Sequence, residues 1–451
     1  MHKIFTKIEK NNYMPQSTAN HGFNGWFQTQ MGTMTQTRQM GPLQGNTVMA
    51  AYARDWNATM SMSDLLIRDP NEITPNRDQT SSIYGLVNHQ FANGQRYSSR
   101  NYVEDAVRAG ADLTVSLTSL ATKVLFDTSS KCSSDGTPRA TGVEFLFGKS
   151  LYKADNRRAA NAAGVKRTAI ARREVILSGG AFNSPQLLML SGIGNATDLA
   201  KFNIPLVGDL PGVGQNLMDN QEMPIVGTGS GGNGNAGVAM YKTQHPAHGE
   251  RDMFLMGGPG FLFRGFWPDN PARVPADPRQ PYGVSMVKGS SVNNKGWVRL
   301  RSADPTDTPE INFNHYAAGA EYDLEAMKDT VAWVRTVYQR AGITAVEPPC
   351  PRGPDANGSC GKDDEDWIHK QTFGHHPTST NKIGADDDPM AVLDSKFRVR
   401  GVSGLRVVDA SAFARIPGVF PAVSTFMISQ KAGDDMLAEL AGGTALGQCS
   451  S

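Results

Sequence analysis

Apolar positions recur at helical spacing most clearly over Tyr322–Ala341, where Leu324, Met327, Val331 and Val334 share one face of a 3.6-residue period. Helices are also predicted over Tyr102–Ala109, over Ser424–Leu440, and as an isolated stretch near Thr47–Trp56 in an otherwise polar first hundred residues. Period-two alternation over Tyr282–Lys288 and Gly296–Leu300 predicts strands of an antiparallel sheet. Shorter strands are predicted at Leu113–Leu117, Lys123–Phe126 and Leu405–Asp409. Gly142–Phe147 and Thr168–Leu177 read as a hairpin-like pair across a basic, Ala-rich connection. At Ser178-Gly179-Gly180 a strand stops. The helix Ser184–Leu190 then begins with Ser184 as N-cap and Pro185 at its first position. Residues 227–270 are rich in Gly, Asn and Pro and read as an exposed excursion, and residues 348–366 read as a disordered loop leading to the histidine pair. There are no internal repeats. Strands and helices intermingle, so the expected class is α/β (α+β).

The 451 residues suffice for two or three domains with a large core. Lys+Arg (44) and Asp+Glu (43) nearly cancel, and no basic tract interleaves with aromatics, which argues against a nucleic-acid scaffold. With 19% charged residues, 47 Gly and 26 Pro, the composition fits a loop-rich enzyme; 39% apolar residues argues against wholesale disorder. Four cysteines are too few for a disulfide framework. Cys350 and Cys360 are close enough to close a small loop, and a disulfide and a free pair are equally compatible with the spacing. Sequons occur at Asn57-Ala58-Thr59, Asn195-Ala196-Thr197 and Asn357-Gly358-Ser359, and chance alone produces some in a long chain. No apolar run approaches the ~18 residues of a membrane span, and the opening Met1–Lys7 lacks the apolar stretch of a signal peptide.

Three segments carry candidate chemistry. Gly212-Val213-Gly214-Gln215-Asn216-Leu217 follows the strand-like Ile204–Val207, but Leu217 stands where a dinucleotide fingerprint needs its third glycine, so the segment reads as a structural turn. His375-His376-Pro377 is followed by Thr378-Ser379-Thr380-Asn381, a run of hydroxyl and amide groups. A histidine with a reference pKa near ~6.5 can hold or release a proton at physiological pH, as a general base must. Val407-Val408-Asp409-Ala410-Ser411 reads as a strand ending in small polar residues, and strand ends are where α/β proteins bind ligands. Gly-x-Ser-x-Gly, Walker and His-Glu-x-x-His motifs are absent, which weakens hydrolase, nucleotide-triphosphatase and zinc-protease readings.

Together these pieces resemble the glucose-methanol-choline (GMC) oxidoreductases. Ser178-Gly-Gly-Ala-Phe-Asn-Ser-Pro-Gln-Leu-Leu-Met-Leu-Ser-Gly-Ile-Gly194 matches that family's second signature almost position for position. Asp209–Asp219 resembles the segment that follows it, Gly374–Gly384 the active-site histidine segment, and Leu405–Ser411 with Pro417–Pro421 the C-terminal flavin-binding stretch. The resemblance implies an FAD enzyme acting on a small-molecule alcohol, with no nucleic-acid or membrane partner. It casts His376 as the general base, with His375 beside it as a substitute second group. Lys123 and Val124 match the strand that meets the adenine, Ser178, Gly179 and Gly180 the turn along the ADP half, and Asp409 and Ala410 positions beside the pyrophosphate. Phe420 and Pro421 fall in the same flavin-binding stretch.

Two departures from the family pattern bear on function. Family members begin with a βαβ unit carrying Gly-x-Gly-x-x-Gly, and this chain enters the pattern downstream, near Met1–Glu9, so the implied Rossmann-like FAD domain is incomplete and grips the cofactor weakly. Before Pro421 the family usually places His or Asn, whereas this chain has Phe420, which has no hydrogen-bonding side-chain atom. The expected layout is an incomplete FAD-binding domain (1–228), a Gly/Pro-rich excursion (229–285) of an antiparallel-sheet substrate domain, that domain with the histidine loop (286–400), and a return to the FAD domain (401–441). A non-redox cyclase or isomerase of the same fold, and a cofactor-free remnant, are the alternatives.

Overall fold

The computed structural model describes residues 1–32, 52–56, 59–128, 136–229, 238–265 and 277–442. The chain divides into two compact units, each built from three separate segments: Met1–Leu113, Asn220–Val292 and Gly319–His375 in the first, and Thr114–Asp219, Asn293–Ala318 and His376–Ser451 in the second.

The centre of the first unit is a six-stranded antiparallel sheet, in the order Thr344–Glu347, Glu222–Thr228, Pro281–Lys288, Met253–Pro259, Val238–Tyr241, Ser82–Tyr84. Two of these strands, Val238–Tyr241 and Met253–Pro259, lie within residues 227–270, where Gly, Asn and Pro content predicts an exposed excursion. Their side chains are mostly buried, and Val238, Ala239, Met253 and Leu255 are each at most 1% exposed. Composition misleads here because apolar residues alternate between the glycines. Pro281–Lys288 is buried along its whole length, as a central strand covered on both faces must be.

The predicted helix runs from Ala320 to Arg340 and buries Leu324, Met327, Val331 and Val334 as its period requires. Tyr338, at its last turn, reaches the sheet and donates to the carbonyl of Tyr282 at 3.0 Å. The loop 348–366 is more ordered than its composition suggests. Cys350 and Cys360 form a disulfide, and a helix begins at Lys362. Buried Arg335 makes two hydrogen bonds to Asp364, at 2.6 and 3.1 Å, fixing that loop to the long helix.

A second buried polar cluster ties the first segment of this unit together. The His21 ring lies between Glu9 (3.2 Å) and Asp69 (3.3 Å), with all three side chains at most 1% exposed. Glu9 also accepts from Asn11, Thr29 and the Gly22 backbone, while Tyr13 donates to Asp69. An imidazole between two buried carboxylates is stabilised as the cation.

In the second unit a three-stranded antiparallel sheet joins Ser119–Asp127, Arg139–Phe147 and Val165–Ile170. The expected hairpin therefore closes with Val165–Ile170. Val175–Leu177 leaves it to pair in parallel with Leu405–Val407. Leu113–Leu117 is not a strand. The helix predicted from Ser184 begins at Gly180, and Gly179 is its N-cap. Gly296–Leu300 contributes Trp297–Arg299, which pairs with Glu310–Asn312 in a separate hairpin and not with the large sheet. The Gly212–Leu217 segment is a turn: Gly214 has φ +77°, and a β-carbon there would lie 2.2 Å from the carbonyl oxygen of Val298. No helix follows it, so no dinucleotide fingerprint is present there. Of the predicted helical stretch Thr47–Trp56, residues 47–51 lie outside the described residues and 52–55 are helical.

The hydrogen bond to Glu9 raises the pKa of His21 against the opposing effect of burial. Stability gained from the protonated ring is complete below the ordinary value of about 6.5 and is lost as pH rises through the raised folded-state pKa. Denaturant unfolding at increasing pH is expected to show stability falling over that interval, and His21→Gln is expected to abolish the slope.

Candidate functional site

The site is built where two parallel strands end. Leu177 is opposite Val407 in the pairing of Val175–Leu177 with Leu405–Val407, and the Val408 N–H donates to the Leu177 carbonyl at 2.9 Å. Ser178 Oγ donates to the Val408 carbonyl at 3.0 Å, locking the two chain ends side by side. Asp409 then turns toward the start of the Gly180–Leu190 helix. Its Oδ2 accepts from the Gly180 N–H at 3.0 Å and from Ser184 Oγ at 2.6 Å. The same Ser184 hydroxyl accepts the Gly179 N–H at 2.9 Å. Thus Ser184 is not the N-cap that its Ser-Pro sequence suggests; it sits in the second turn and relays the helix start to Asp409. Asp409 Oδ1 accepts the Ser411 N–H at 2.8 Å, starting the short 3₁₀ turn Ala410–Ala412. A carboxylate at the positive end of a helix is favourable, and here it also satisfies N–H groups that the helix leaves unpaired.

The histidine segment docks on this turn. Backbone N–H groups of Ser379, Asn381 and Ile383 donate to the carbonyls of Ala410, Ser411 and Ala412 at 2.9–3.0 Å. Thr380 Oγ1 donates to the Ala181 carbonyl at 2.6 Å, and Asn381 Nδ2 to Ser411 Oγ at 3.0 Å. Thr378, Ser379, Thr380 and Asn381 are fully buried. The polar run after the histidines is therefore the tether that places them.

His376 is positioned from both sides of its backbone. Its N–H donates to Asp219 Oδ1 at 2.8 Å, while Thr378 and Met218 form a bridge with N–O distances of 2.9 and 3.2 Å. Its ring meets Phe420 edge-on, with centroids 5.0 Å apart and planes at 84°. Phe420 has φ +56°, a left-handed conformation uncommon for a bulky residue. Pro421 follows as the N-cap residue of the Ala422–Ala441 helix.

His375, although adjacent in sequence, belongs to the other compact unit. Its Nε2 pairs with Glu222 Oε2 at 3.0 Å, and Phe373 and Phe263 lie 5.5 and 6.3 Å from its ring. Glu222 also accepts from Ser285 Oγ, and both residues are at most 1% exposed.

Lys123 and Val124 lie apart from the Asp409 group. Val124 is buried and its N–H donates to Ser191 Oγ at 2.8 Å, at the C-terminal end of the Gly180–Leu190 helix. Eleven helical residues at 1.5 Å rise separate that end from Gly180 by about 16 Å. The relay role of Ser184 and the parts of Asp219 and Glu222 are not legible in the sequence. Ser184 is read there only as a helix cap, Asp219 lies in a motif segment with no feature that singles it out, and Glu222 has no motif at all.

Replacing Asp409 with Ala strips partners from the Gly180 and Ser411 N–H groups and from Ser184. At about 1–3 kcal/mol for each buried group left unpaired, chemical denaturation is expected to show a loss of several kcal/mol. Asp409→Asn, which keeps an acceptor oxygen, is expected to lose less.

Similarities to known proteins agree with this geometry. Family models for GMC oxidoreductase match residues 12–222 and 292–429. Human mitochondrial choline dehydrogenase is 32% identical over 385 residues, covering 78% of this chain and 58% of that protein. An oxygen-dependent choline dehydrogenase from Vibrio vulnificus is 33% identical over 328 residues, covering 66% of this chain and 54% of that protein. The chain thus spans less than two thirds of the length of these curated relatives. Among solved structures, formate oxidase from Aspergillus oryzae RIB40 superposes with a TM-score of 0.72 at 20% identity, covering 97% of this chain and 77% of that one. A pyridoxine 4-oxidase from Mesorbium loti gives 0.68 at 19%, covering 96% and 76%. These two likenesses establish the fold. With both halves of the family pattern matched in order, and with the signature helix and the histidine segment meeting on one turn, the chain belongs to the GMC oxidoreductase family.

Proposed function

We propose that this protein uses FAD to oxidise the C–OH carbon of a small alcohol, with His376 as general base. One observation carries the reading: the signature helix, the histidine segment and the Asp409–Ala412 turn are hydrogen-bonded together within one unit.

The residues present fit a flavin nucleotide in part. Gly180 has φ +81° at the helix start, and a β-carbon there would meet nothing within 4 Å, which leaves room for a group to approach the backbone. Asn381 Oδ1 is buried without a hydrogen-bond partner, an acceptor suited to a hydroxyl or ring N–H. The helix end itself is already occupied by the Asp409 carboxylate, so it offers little to diphosphate charges. On this reading Ser178, Gly179, Gly180, Ala410, Phe420 and Pro421 line the cofactor, and Asp409 positions them. Lys123 and Val124 lie toward its far end. Bound FAD supplies a two-electron acceptor for a hydride.

The protein's own part is proton management and placement. The substrate hydroxyl gives its proton to a ring nitrogen of His376 as the carbon loses hydride, leaving a carbonyl product. The backbone bond to Asp219 and the edge contact with Phe420 restrict where the ring points. Phe420 supplies no polar atom, so the chemistry rests on a single base there. His375, the other histidine of the segment, has its Nε2 on Glu222 Oε2 at 3.0 Å.

The test is the visible spectrum of the purified chain with added FAD. A flavin band that bleaches anaerobically with an alcohol is expected. His376→Ala is expected to keep the band and to lower kcat by about 10²–10⁴-fold, the usual contribution of a positioned base. A bound flavin that no alcohol reduces would overturn the reading.

A further inference from the structure

Three sequons occur in the chain, and the structure separates them. Asn57 lies outside the described residues. Asn195 is half-buried and its side chain caps the Ala196–Ala200 helix, accepting the Asp198 N–H at 3.1 Å. Its amide is spent on structure. Asn357 differs on both counts: it is exposed, and among the described residues its side-chain amide has no hydrogen-bond partner.

The surroundings of Asn357 hold it outward. Asp355 Oδ1 accepts the N–H groups of both Asn357 and Ser359 at 2.9 Å, and the Asp355 N–H donates to the Ser359 carbonyl at 2.9 Å. The next residue, Gly358, is buried and turns its carbonyl inward to Arg335 Nη1 at 2.6 Å. Arg335 is held by Asp364, which also accepts the Cys360 N–H at 2.7 Å. The backbone on one side of Asn357 is thus anchored from below while its side chain faces solvent.

A second, independent feature occupies the same loop. Cys350 and Cys360 are joined, with Cα atoms 5.8 Å apart, and Cys360 directly follows the sequon serine. Disulfides persist in oxidising compartments, the same compartments in which Asn-x-Ser/Thr is glycosylated. An exposed sequon inside a disulfide-closed loop joins two chemistries of a single route through the cell.

We propose that Asn357 carries an N-linked oligosaccharide and that the protein matures in an oxidising secretory compartment. In the transfer step the Asn357 side-chain nitrogen bonds to the anomeric carbon of a lipid-diphosphate-activated oligosaccharide. The anomeric C–O bond to the diphosphate breaks, the lipid diphosphate leaves with the bonding pair, and the amide nitrogen gives up one proton. This inference is independent of the flavin reading.

The experiment is a peptide map of the chain purified from its own organism. Trypsin releases residues 353–362, with Asn357 and Cys360, and residues 341–352, with Cys350. Without reduction the two peptides are expected to be joined. After digestion with peptide N-glycosidase in ¹⁸O water, Asn357 is expected to appear as labelled Asp, while Asn195, in residues 174–201, stays unlabelled. Ser359→Ala, produced in the same organism, is expected to remove the glycan and raise gel mobility, and Ser359→Thr to retain it. An unmodified Asn357, a glycan on Asn195, or alkylatable Cys350 and Cys360 thiols would overturn the proposal.

Discussion

The carboxylate of Asp409 stands where a strand, a helix and a loop far apart in sequence have to agree. A strand end, a helix start and a 3₁₀ turn each leave backbone N–H groups without partners. Asp409 satisfies two of them, at Gly180 and Ser411, and takes the Ser184 hydroxyl as well. Because Ala410–Ala412 then presents three carbonyls in a row, the histidine segment has a fixed edge on which to dock. Each step constrains the next. The position of His376 follows from this docking, from the Met218–Thr378 bridge and from Asp219.

This arrangement also explains which features were legible in the sequence. The long helix Ala320–Arg340 was legible because its apolar stripe is a local property, and the GMC resemblance was legible because its residues are contiguous. Ser184 shows the limit. Read locally, Ser-Pro is a helix start; in the fold, its hydroxyl is claimed by Asp409, 225 positions away, and the helix begins at Gly180 instead. The excursion expected over residues 227–270 fails for a related reason. Glycine and proline counts describe turn propensity, whereas burial depends on which strands lie alongside, and Met253–Pro259 has neighbours on both edges. The strand Val175–Leu177 could not be assigned to its parallel partner, because Leu405–Val407 lies over two hundred residues away.

His375 and His376 show how little adjacency in sequence decides. One imidazole is held by a buried glutamate and flanked by two phenylalanines, and the other is set against Phe420 with its backbone tied to Asp219. A sequence reading that offers His375 as a stand-in for the polar group missing at position 420 has to contend with the claim Glu222 already makes on it.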